Sequence, residues 1–374
     1  MDDLIAIGGC NPEIEPGAKM TAISAALLKH LLFGFLDLSG VTLAAEVVAS
    51  CNLVCPGCWV GKARPDMFSK ANLDIMPESI FDAALNFGRQ LNIEKLSLLG
   101  GEPTMRADLP VLIQRGRDKG YTVGVTSNGV CSTERLKAVL AAGLQSITFS
   151  IDGASAATHD RLRPSRGGQS TFEITLRGIR QAVLERDDHG YAVVVNHTIY
   201  PANLEEAEAM VRLSAALGVD RIRLHFTLPN DSNISGEADM ISPQSWSQLR
   251  ARMEQLASEL NRPIAVAEAY GRGATAESQR RRSPYLTVQP DGRLMVCAAY
   301  SRLRDPRRHW IAKVISDGNF ALNSHFVDRT RHPVCCGAVP EFISELSESE
   351  QELIDRHGGL GCIIVPSSIG GKKI

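Results

Sequence analysis

The sequence predicts an α/β protein built around a parallel sheet. Between residues 41 and 226 of the 374-residue chain, short apolar runs alternate with amphipathic stretches. One strand–helix unit recurs about every 25 to 45 residues, the spacing of parallel strands joined by crossover helices. The predicted strands cover 41–48, 95–99, 121–126, 147–151, 192–198 and 221–226. The predicted helices cover 77–90, 109–119, 132–142, 171–185 and 204–217.

Local signals support these elements. The strands are short apolar runs, whereas the helices carry apolar residues on one face. The helix at 132–142 shows this best, because Ser132 is a candidate N-cap, Leu136 and Val139 share a face, and Gly143 follows as a stop signal.

The pattern changes outside this core. The first 40 residues offer one apolar helix at 22–33, and residues 229–242 are rich in asparagine, serine and glycine, which indicates a linker. A helix is predicted at 243–260, followed by a hairpin that turns at Asp291-Gly292. We therefore expect four segments: an N-terminal helical extension, a parallel core, a linker with a helix that is a candidate specificity region, and a small α+β extension with a β-hairpin and cysteines. Their bounds are 1–40, 41–228, 229–284 and 285–374.

Composition argues against several classes of protein. The net charge is −2 and the sequence pI about 6.5, so no strong field favours nucleic acid or an anionic membrane. Asp2 and Asp3 stand where a secretory signal would be basic, and charged residues interrupt the apolar stretch at 31–48. Nine cysteines, an odd number, do not suit a secreted disulfide scaffold. These features predict a cytoplasmic protein.

Three cysteines, Cys51, Cys55 and Cys58, follow the first predicted strand. Zinc prefers four ligands, and no histidine lies near the three thiols. A 4Fe–4S cube held by three thiolates keeps one iron open to a small molecule. A zinc site or a structural thiol cluster is the alternative.

Polar or glycine-rich loops follow the next three strands. Their segments are Gly100-Gly101-Glu102-Pro103, Thr126-Ser127-Asn128-Gly129 and Ser150-Ile151-Asp152-Gly153. Because the carboxyl ends of parallel strands open onto one rim, these loops should lie close to the cysteines. Glycine at positions 100 and 101 removes side chains where the backbone would approach a ligand.

The cysteine spacing C-x-x-x-C-x-x-C, with Gly-Gly-Glu-Pro downstream, resembles the radical S-adenosylmethionine (SAM) enzymes. The resemblance implies a partial (β/α)6 barrel and a 4Fe–4S cluster whose open iron binds SAM. In that family SAM is cleaved reductively to a 5′-deoxyadenosyl radical, which abstracts a hydrogen atom from the substrate. The residue before the third cysteine is commonly aromatic, whereas here it is Gly57. Trp59 would instead cover the cluster or approach the adenine.

The resemblance also implies roles for the residues of the rim. Gly100, Gly101 and Glu102 would contact the methionine part of SAM. Ser150 and Arg163 would bind its carboxylate, because a guanidinium is shaped for that contact. Asp152 belongs to the same pattern, which continues with His159-Asp160. Thr126 and Asn128 would contact the ribose hydroxyls, with turns or helix caps as the alternative for each of these polar side chains.

Cysteines outside the triple suggest further chemistry. Cys131 lies in the loop after the third strand, where a thiol could return a hydrogen atom to a substrate radical; an incidental cysteine is the alternative. A hairpin that ends in cysteine, followed by the turn Asp317-Gly318-Asn319, resembles the SPASM or shorter twitch extension. The candidate ligands of one auxiliary 4Fe–4S cluster are Cys297, Cys335, Cys336 and Cys362. Buried or incidental thiols are the alternative.

The resemblance implies an enzyme that oxidises, crosslinks or epimerises a peptide or a small natural product. Its electron donor would be a flavodoxin or ferredoxin. A non-enzymatic iron–sulfur or zinc protein, acting as a redox sensor or scaffold, is the alternative.

Overall fold

The computed structural model describes residues 21–26, 28–29, 40–58, 75–226, 241–267, 285–295 and 311–322. Within these ranges the strands form one twelve-stranded sheet. The strands are β1 (Thr21–Ser24), β2 (Thr42–Val48), β3 (Lys95–Gly100), β4 (Thr122–Ser127), β5 (Ser146–Ser150), β6 (Ala192–Ile199), β7 (Arg221–Phe226), β8 (Ile264–Val266), β9 (Tyr285–Val288), β10 (Arg293–Met295), β11 (Ala312–Ser316) and β12 (Asn319–Leu322). The helices are α1 (Glu78–Gln90), α2 (Leu109–Asp118), α3 (Thr133–Leu140), α4 (Ala156–Leu162), α5 (Thr171–His189), α6 (Ala207–Ala216) and α7 (Pro243–Leu260).

The sheet has a parallel part and an antiparallel part. Its order is β1-β12-β11-β10-β9-β2-β3-β4-β5-β6-β7-β8. All pairs from β9 through β2 to β8 are parallel. The strands from β9 back to β1 pair antiparallel. The predicted α/β fold with a parallel sheet is confirmed, and β8 and β9 extend the parallel part beyond the six predicted strands.

The two faces of the sheet differ in polarity. On β5, Ile147 and Phe149 are buried in the apolar core, whereas Thr148 and Ser150 point to the opposite face. The register carries this alternation into the neighbouring strands, because residues paired across parallel strands share a face. The apolar face packs against the helices. The polar face therefore remains for the functional site.

The sheet curls around its polar face. Burial lowers the pKa of the Arg223 guanidinium on β7, and the Tyr285 hydroxyl on β9 opposes that shift. Five strands lie between β9 and β7 in the sheet order, so the two side chains can interact only if the ends of the parallel part approach each other. This curvature is that of a partial barrel.

Two local predictions differ from the structure. Residues 21–24 form β1, which pairs with β12, whereas a helix over 22–33 was expected; the described residues 25–26 and 28–29 are helical, as expected. A short apolar run is compatible with either element, and here a free strand edge on β12 selects the strand. The short helix α4 was not predicted, although Ser155 caps it by accepting a hydrogen bond from the Thr158 N–H at 3.4 Å.

Other predictions agree in detail or lie outside the described ranges. Ser132 caps α3, and the two C-terminal hairpins turn at Asp291-Gly292 and Asp317-Gly318. The predicted linker lies almost entirely outside the described residues. None of the helices described is both long enough and apolar enough to cross a membrane.

Candidate active site

The three cysteines lie together at the carboxyl end of β2. Cys51 is buried and Cys55 and Cys58 are half-buried, and none of the three forms a disulfide with another described cysteine. Their side chains pack with Leu53 and Val130 in a small apolar cluster, separate from the main core. The spacing in the sequence therefore corresponds to three neighbouring thiols on one short loop.

Contacts with two other segments hold this cysteine loop in place. The Val54 N–H donates to the Pro164 carbonyl at 2.9 Å, and Leu53 forms an isolated bridge with Ser165. On the other side, Asn52 Nδ2 donates to the Val130 carbonyl at 2.6 Å. The loop is thus attached both to the segment after α4 and to the loop after β4.

The surroundings of the sulfur atoms fit a thiolate-bound cluster. Cys51 Sγ accepts hydrogen bonds from the Leu53 N–H at 3.4 Å and from Asn128 Nδ2 at 3.7 Å. Burial raises the pKa of Cys51 to about 12 and that of Cys55 to about 11, with Arg163 opposing the shift at Cys55. At neutral pH the metal-free thiols stay protonated, and a bound metal would ionise them.

The positions of the three thiols also bear on whether they would hold a single metal ion or a 4Fe–4S cluster. Among the described residues, no three histidine, cysteine or acidic side chains converge on a site for a single ion. A 4Fe–4S cube binds each thiolate at a separate iron, so its ligands stand farther apart than those around one zinc. Three thiols on one loop, with N–H donors to a sulfur, suit such a cube.

Gly100 and Gly101 are required by the packing of backbone against backbone. A Cβ at Gly101 would lie 2.1 Å from the Ser50 carbonyl oxygen, and one at Gly100 would lie 2.1 Å from that of Val48. The Gly101 N–H donates to the Val48 carbonyl at 2.8 Å. The glycine pair therefore brings the end of β3 against the chain that leads into the cysteine loop.

Glu102 is a buried junction between loops. Its carboxylate accepts hydrogen bonds from the Thr104 N–H at 3.0 Å, from Ser127 Oγ at 2.8 Å and from the Asn128 N–H at 2.6 Å. The side chain is 1% exposed. These contacts position the loops after β3 and β4, and contact with methionine stays a prediction.

Asn128 faces the cysteine loop. Its Nδ2 donates to Asn52 Oδ1 at 2.8 Å and to Cys51 Sγ, while its Oδ1 accepts from the Val130 N–H at 2.8 Å. The side chain thus links two loops of the rim. Thr126 lies on the polar face of β4, opposite Thr148 in the register. The contacts of Thr126 and Asn128 with the ribose stay predictions.

Asp152 and Arg163 form a buried ion pair next to the cysteine loop. Arg163 Nε donates to Asp152 Oδ2 at 2.7 Å, and Asp152 Oδ1 accepts from the Thr198 N–H at 2.6 Å. The two side chains are 3% and 17% exposed, and Arg163 acts on the pKa of Cys55. Ser150 ends β5 on the polar face, opposite Asn196. The structure therefore brings Arg163, one of the two predicted carboxylate-binding residues, next to the cysteines.

Tyr200 is a site residue that sequence reasoning missed. A Cβ at Gly57 would lie 2.6 Å from the Tyr200 hydroxyl oxygen and 2.7 Å from a ring carbon. The ring therefore stands where a side chain at position 57 would be. Burial raises the pKa of Tyr200, and Asp152 acts in the same direction. Its place immediately after β6, at the same rim as the other loops, was the available signal.

Cys131 lies apart from the polar face. It borders a small cavity together with residues of α3 and α5, such as Leu136 and Gly178. Burial raises the pKa of its thiol to about 11, with Glu102 adding to the shift and Thr104 opposing it. This position on the helical side lends no support to a hydrogen-donor role, which stays a prediction. Trp59, Cys297, Cys335, Cys336 and Cys362 lie outside the described residues.

Comparisons with known proteins agree with this geometry. The sequence profile of the radical SAM superfamily matches residues 46–214. The chain is 32% identical over 208 residues to an AdoMet-dependent heme synthase of Methanosarcina barkeri. This alignment covers 55% of this chain and 56% of that protein. It is 26% identical over 268 residues to a PqqA peptide cyclase of Methylocella silvestris. This alignment covers 70% of this chain and 69% of that protein. The chain thus spans little more than half the length of the heme synthase.

Solved structures show the same fold. Streptococcus suis SuiB bound to S-adenosylmethionine superposes with a TM-score of 0.56 and 13% identity, over 71% of this chain and 62% of that one. The anSMEcpe structure with bound AdoMet and a peptide gives a TM-score of 0.56 and 12% identity, over 73% of this chain and 77% of that one. Residues 46–214, which carry the cysteine rim, thus match the radical SAM superfamily, and the relatives that the chain matches are enzymes.

Proposed function

We propose that this protein cleaves S-adenosylmethionine reductively at a 4Fe–4S cluster held by Cys51, Cys55 and Cys58. The observation that carries the proposal is the group of three thiols beside the Asp152–Arg163 ion pair. Three thiols leave a place for a chelating ligand at the cluster, and the guanidinium supplies a partner for the carboxylate of that ligand. When bound, the cluster supplies the electron that generates a 5′-deoxyadenosyl radical from SAM.

The residues of the chain bind and orient the cofactor. Asp152 holds Arg163 by its Nε, so the remaining N–H groups of the guanidinium stay available for a carboxylate. Ser150, at the end of β5 and two residues before Asp152, would be a second donor to that carboxylate. Asn128 and Glu102 set the distance between the rim loops through their hydrogen bonds, so their effect on SAM would be indirect.

Burial of these groups also protects the chemistry. Glu102, Asn128 and Asp152 are all at most 6% exposed. A dry site strengthens each charge interaction and keeps water from quenching a radical. The same burial makes the metal-free thiols poor nucleophiles, which the pKa shifts of Cys51 and Cys55 express.

The substrate is proposed to be a peptide or a small natural product that is oxidised, crosslinked or epimerised. Support comes from the PqqA peptide cyclase and from structures of SuiB and anSMEcpe bound to peptides. The heme synthase supports a small molecule instead. We further propose one auxiliary 4Fe–4S cluster with ligands among Cys297, Cys335, Cys336 and Cys362, and reduction by a flavodoxin or ferredoxin.

The cleavage step is tested on protein purified and reconstituted without oxygen. Reduced protein should convert SAM to 5′-deoxyadenosine, measured by liquid chromatography, and Cys55→Ala should lose the cleavage together with the share of the absorbance that belongs to the SAM-binding cluster. Cys10→Ala, outside the loop, serves as the matched control and should retain both. Cleavage that persists in Cys55→Ala, or reconstituted protein that binds zinc and no iron, would refute the proposal and favour a scaffold.

The auxiliary cluster is tested by iron and sulfide analysis. The full chain should bind about eight irons, whereas a chain ending after residue 322 lacks three candidate thiols and should bind about four. Both forms keep every described strand, so the SAM-binding cluster should survive in each. About four irons in the full chain would contradict the second cluster and leave the first intact.

A further inference from the structure

The polar face of the sheet carries buried groups that lack partners. Among the described residues, Asn196 Oδ1 on β6, His225 Nδ1 on β7 and Thr287 Oγ1 on β9 are buried without a hydrogen bond. Each pairs in the register with a residue of the polar face, namely Ser150, Thr198 and Ala44. Buried polar atoms without partners cost free energy, and in native proteins they often face a ligand.

The same face carries a positive charge without a described counter-ion. Arg223 stands between Ile222 and Leu224 on β7, and both of these are fully buried in the core. Because successive side chains of a strand point to opposite faces, the side chain of Arg223 points to the polar face. Burial lowers the pKa of the guanidinium, with Tyr285 opposing the shift and the like charge of Arg221 reinforcing it. No carboxylate of the described residues contributes to that pKa or bonds the guanidinium. Arginine nevertheless keeps its charge in proteins.

The register places Arg223 with respect to the cofactor-binding residues. Ser150, Asn196, Arg223 and Ala265 follow one another as Cα partners across β5, β6, β7 and β8. At roughly 4.8 Å per strand, Arg223 stands about 10 Å from Ser150. The neighbouring Ala265 is small, which leaves room beside the guanidinium.

His225 lies between this charge and the ion pair of the rim. It is two residues beyond Arg223 towards the carboxyl end of β7, and Asp152 and Arg223 both act on its pKa. Burial is the larger cause and the charge of Arg223 the second; together they lower the pKa of His225 to about 4. The imidazole is therefore neutral at neutral pH. A neutral imidazole can donate one hydrogen bond to an anion without adding charge.

We infer that Arg223, with His225 and Asn196, binds an oxyanion of the substrate, a carboxylate or a phosphate, on the polar face of the sheet. The inference rests on the proposed function, because it places the substrate beside the proposed SAM site. A guanidinium matches either anion with two parallel hydrogen bonds. Arg163 serves the cofactor, so a second arginine on the same face is available for a second anionic group.

The test uses cluster-loaded protein with SAM and three aromatic probes: benzoate, phenyl phosphate and benzamide. Calorimetry should show that benzoate or phenyl phosphate binds more tightly than benzamide, and the stronger of the two identifies the anion. Arg223→Gln should weaken that binding at least about tenfold, since a charge-assisted pair is lost. Arg223→Lys should retain part of it, and Arg180→Gln, an exposed arginine on α5, should change nothing.

Phenylglyoxal labelling, read by peptide mass spectrometry, locates the effect. The anion should protect Arg223 and not Arg180. Equal binding of all three probes, or unchanged anion binding in Arg223→Gln, would overturn the inference. Loss of SAM binding in Arg223→Gln would assign the arginine to the cofactor and overturn it as well. Protein that binds no cluster would instead refute the proposed function, so the two failures are distinguishable.

Discussion

At the scale of single residues, Asp152 has more than one structural task at the rim. Its two carboxylate oxygens bind Arg163 and the Thr198 N–H, and its carbonyl accepts from Asn203 Nδ2 at 2.8 Å. The side chain is almost fully buried. The buried carboxylate therefore orients Arg163 and also accepts the hydrogen bond of a backbone N–H near the end of β6.

We expect Asp152→Asn to lower the free energy of unfolding by about 3 kcal/mol, because it leaves the Arg163 charge buried without its partner. Guanidinium denaturation of the metal-free protein measures this. Asp187→Asn removes a carboxylate that also pairs with an arginine but is 91% exposed. This control should change the stability by less than about 0.5 kcal/mol. Equal effects of the two variants would contradict a structural role for the buried pair.

The thiol pKa values predict a pH dependence. Burial raises the pKa of Cys55 from 9.0 to about 11, with Arg163 opposing the shift, so the reactive thiolate forms only at higher pH in the folded chain. At pH 8 the thiolate fraction of Cys55 should be about 100-fold lower than in the unfolded chain.

Alkylation of metal-free protein by iodoacetamide, followed by peptide mass spectrometry, checks this. In the folded chain the rate at Cys55 should still rise tenfold per pH unit at pH 10, whereas in urea it should level off near pH 9. The same plateau in both states would show that burial does not control this thiol.

At the scale of elements, the rim is assembled by close contact between β3 and the chain after β2. The Gly101 N–H and the Glu102 N–H donate to the carbonyls of Val48 and Ser50, at 2.8 and 2.9 Å. Glu102 then reaches the loop after β4, and Asn128 returns from that loop to Cys51. Three loops are therefore coupled through a few hydrogen bonds.

Gly101→Ala should disrupt this coupling, because the new methyl group would meet the Ser50 and Ala49 carbonyl oxygens at 2.1 and 2.6 Å. We expect a loss of about 1–3 kcal/mol in stability and a lower iron content after reconstitution. Gly167→Ala is the matched control, since its Cβ would meet nothing within 4 Å. Normal iron content in Gly101→Ala would show that the close approach is not required for the cluster site.

At the scale of the whole molecule, the C-terminal hairpins belong to the same sheet as the barrel strands. β9 pairs with β2 in parallel register from Thr42–Tyr285 to Ala45–Val288. The strand that leads to the cysteines is therefore internal to the sheet only because residues far along the chain return to it. The N-terminal strand β1 pairs with β12 and forms the edge of the antiparallel part of the sheet.

A chain ending after residue 284 should lose β9 to β12 and expose the edge of β2. Exposed strand edges pair with other chains, so we expect aggregation in size-exclusion chromatography and poor cluster loading. A chain ending after residue 322 keeps these strands and should stay monodisperse under the same conditions. Equal behaviour of the two truncated chains would contradict a structural role for the hairpins.

Much of the core could be predicted because its signals are local. The six strands β2 to β7 and the cap at Ser132 follow from apolar periodicity and from the residue types at element ends. The helix expected over 22–33 was wrong at 22–24 and correct at 25–26 and 28–29, because strand and helix compete for a short apolar run and the edge of a distant strand decides. The seven-residue helix α4 is too short to show a clear period.

The sequence by itself determined the α/β class, the cysteine loop and the resemblance to radical SAM enzymes, since these depend on spacing along the chain. Only the tertiary structure decided that Asn128 bonds Cys51, that Tyr200 stands against Gly57 and that Arg223 faces the site. Those contacts join residues from different strands and loops. Their positions follow from the register and curvature of the sheet, which result from packing of the whole chain and not from any local pattern.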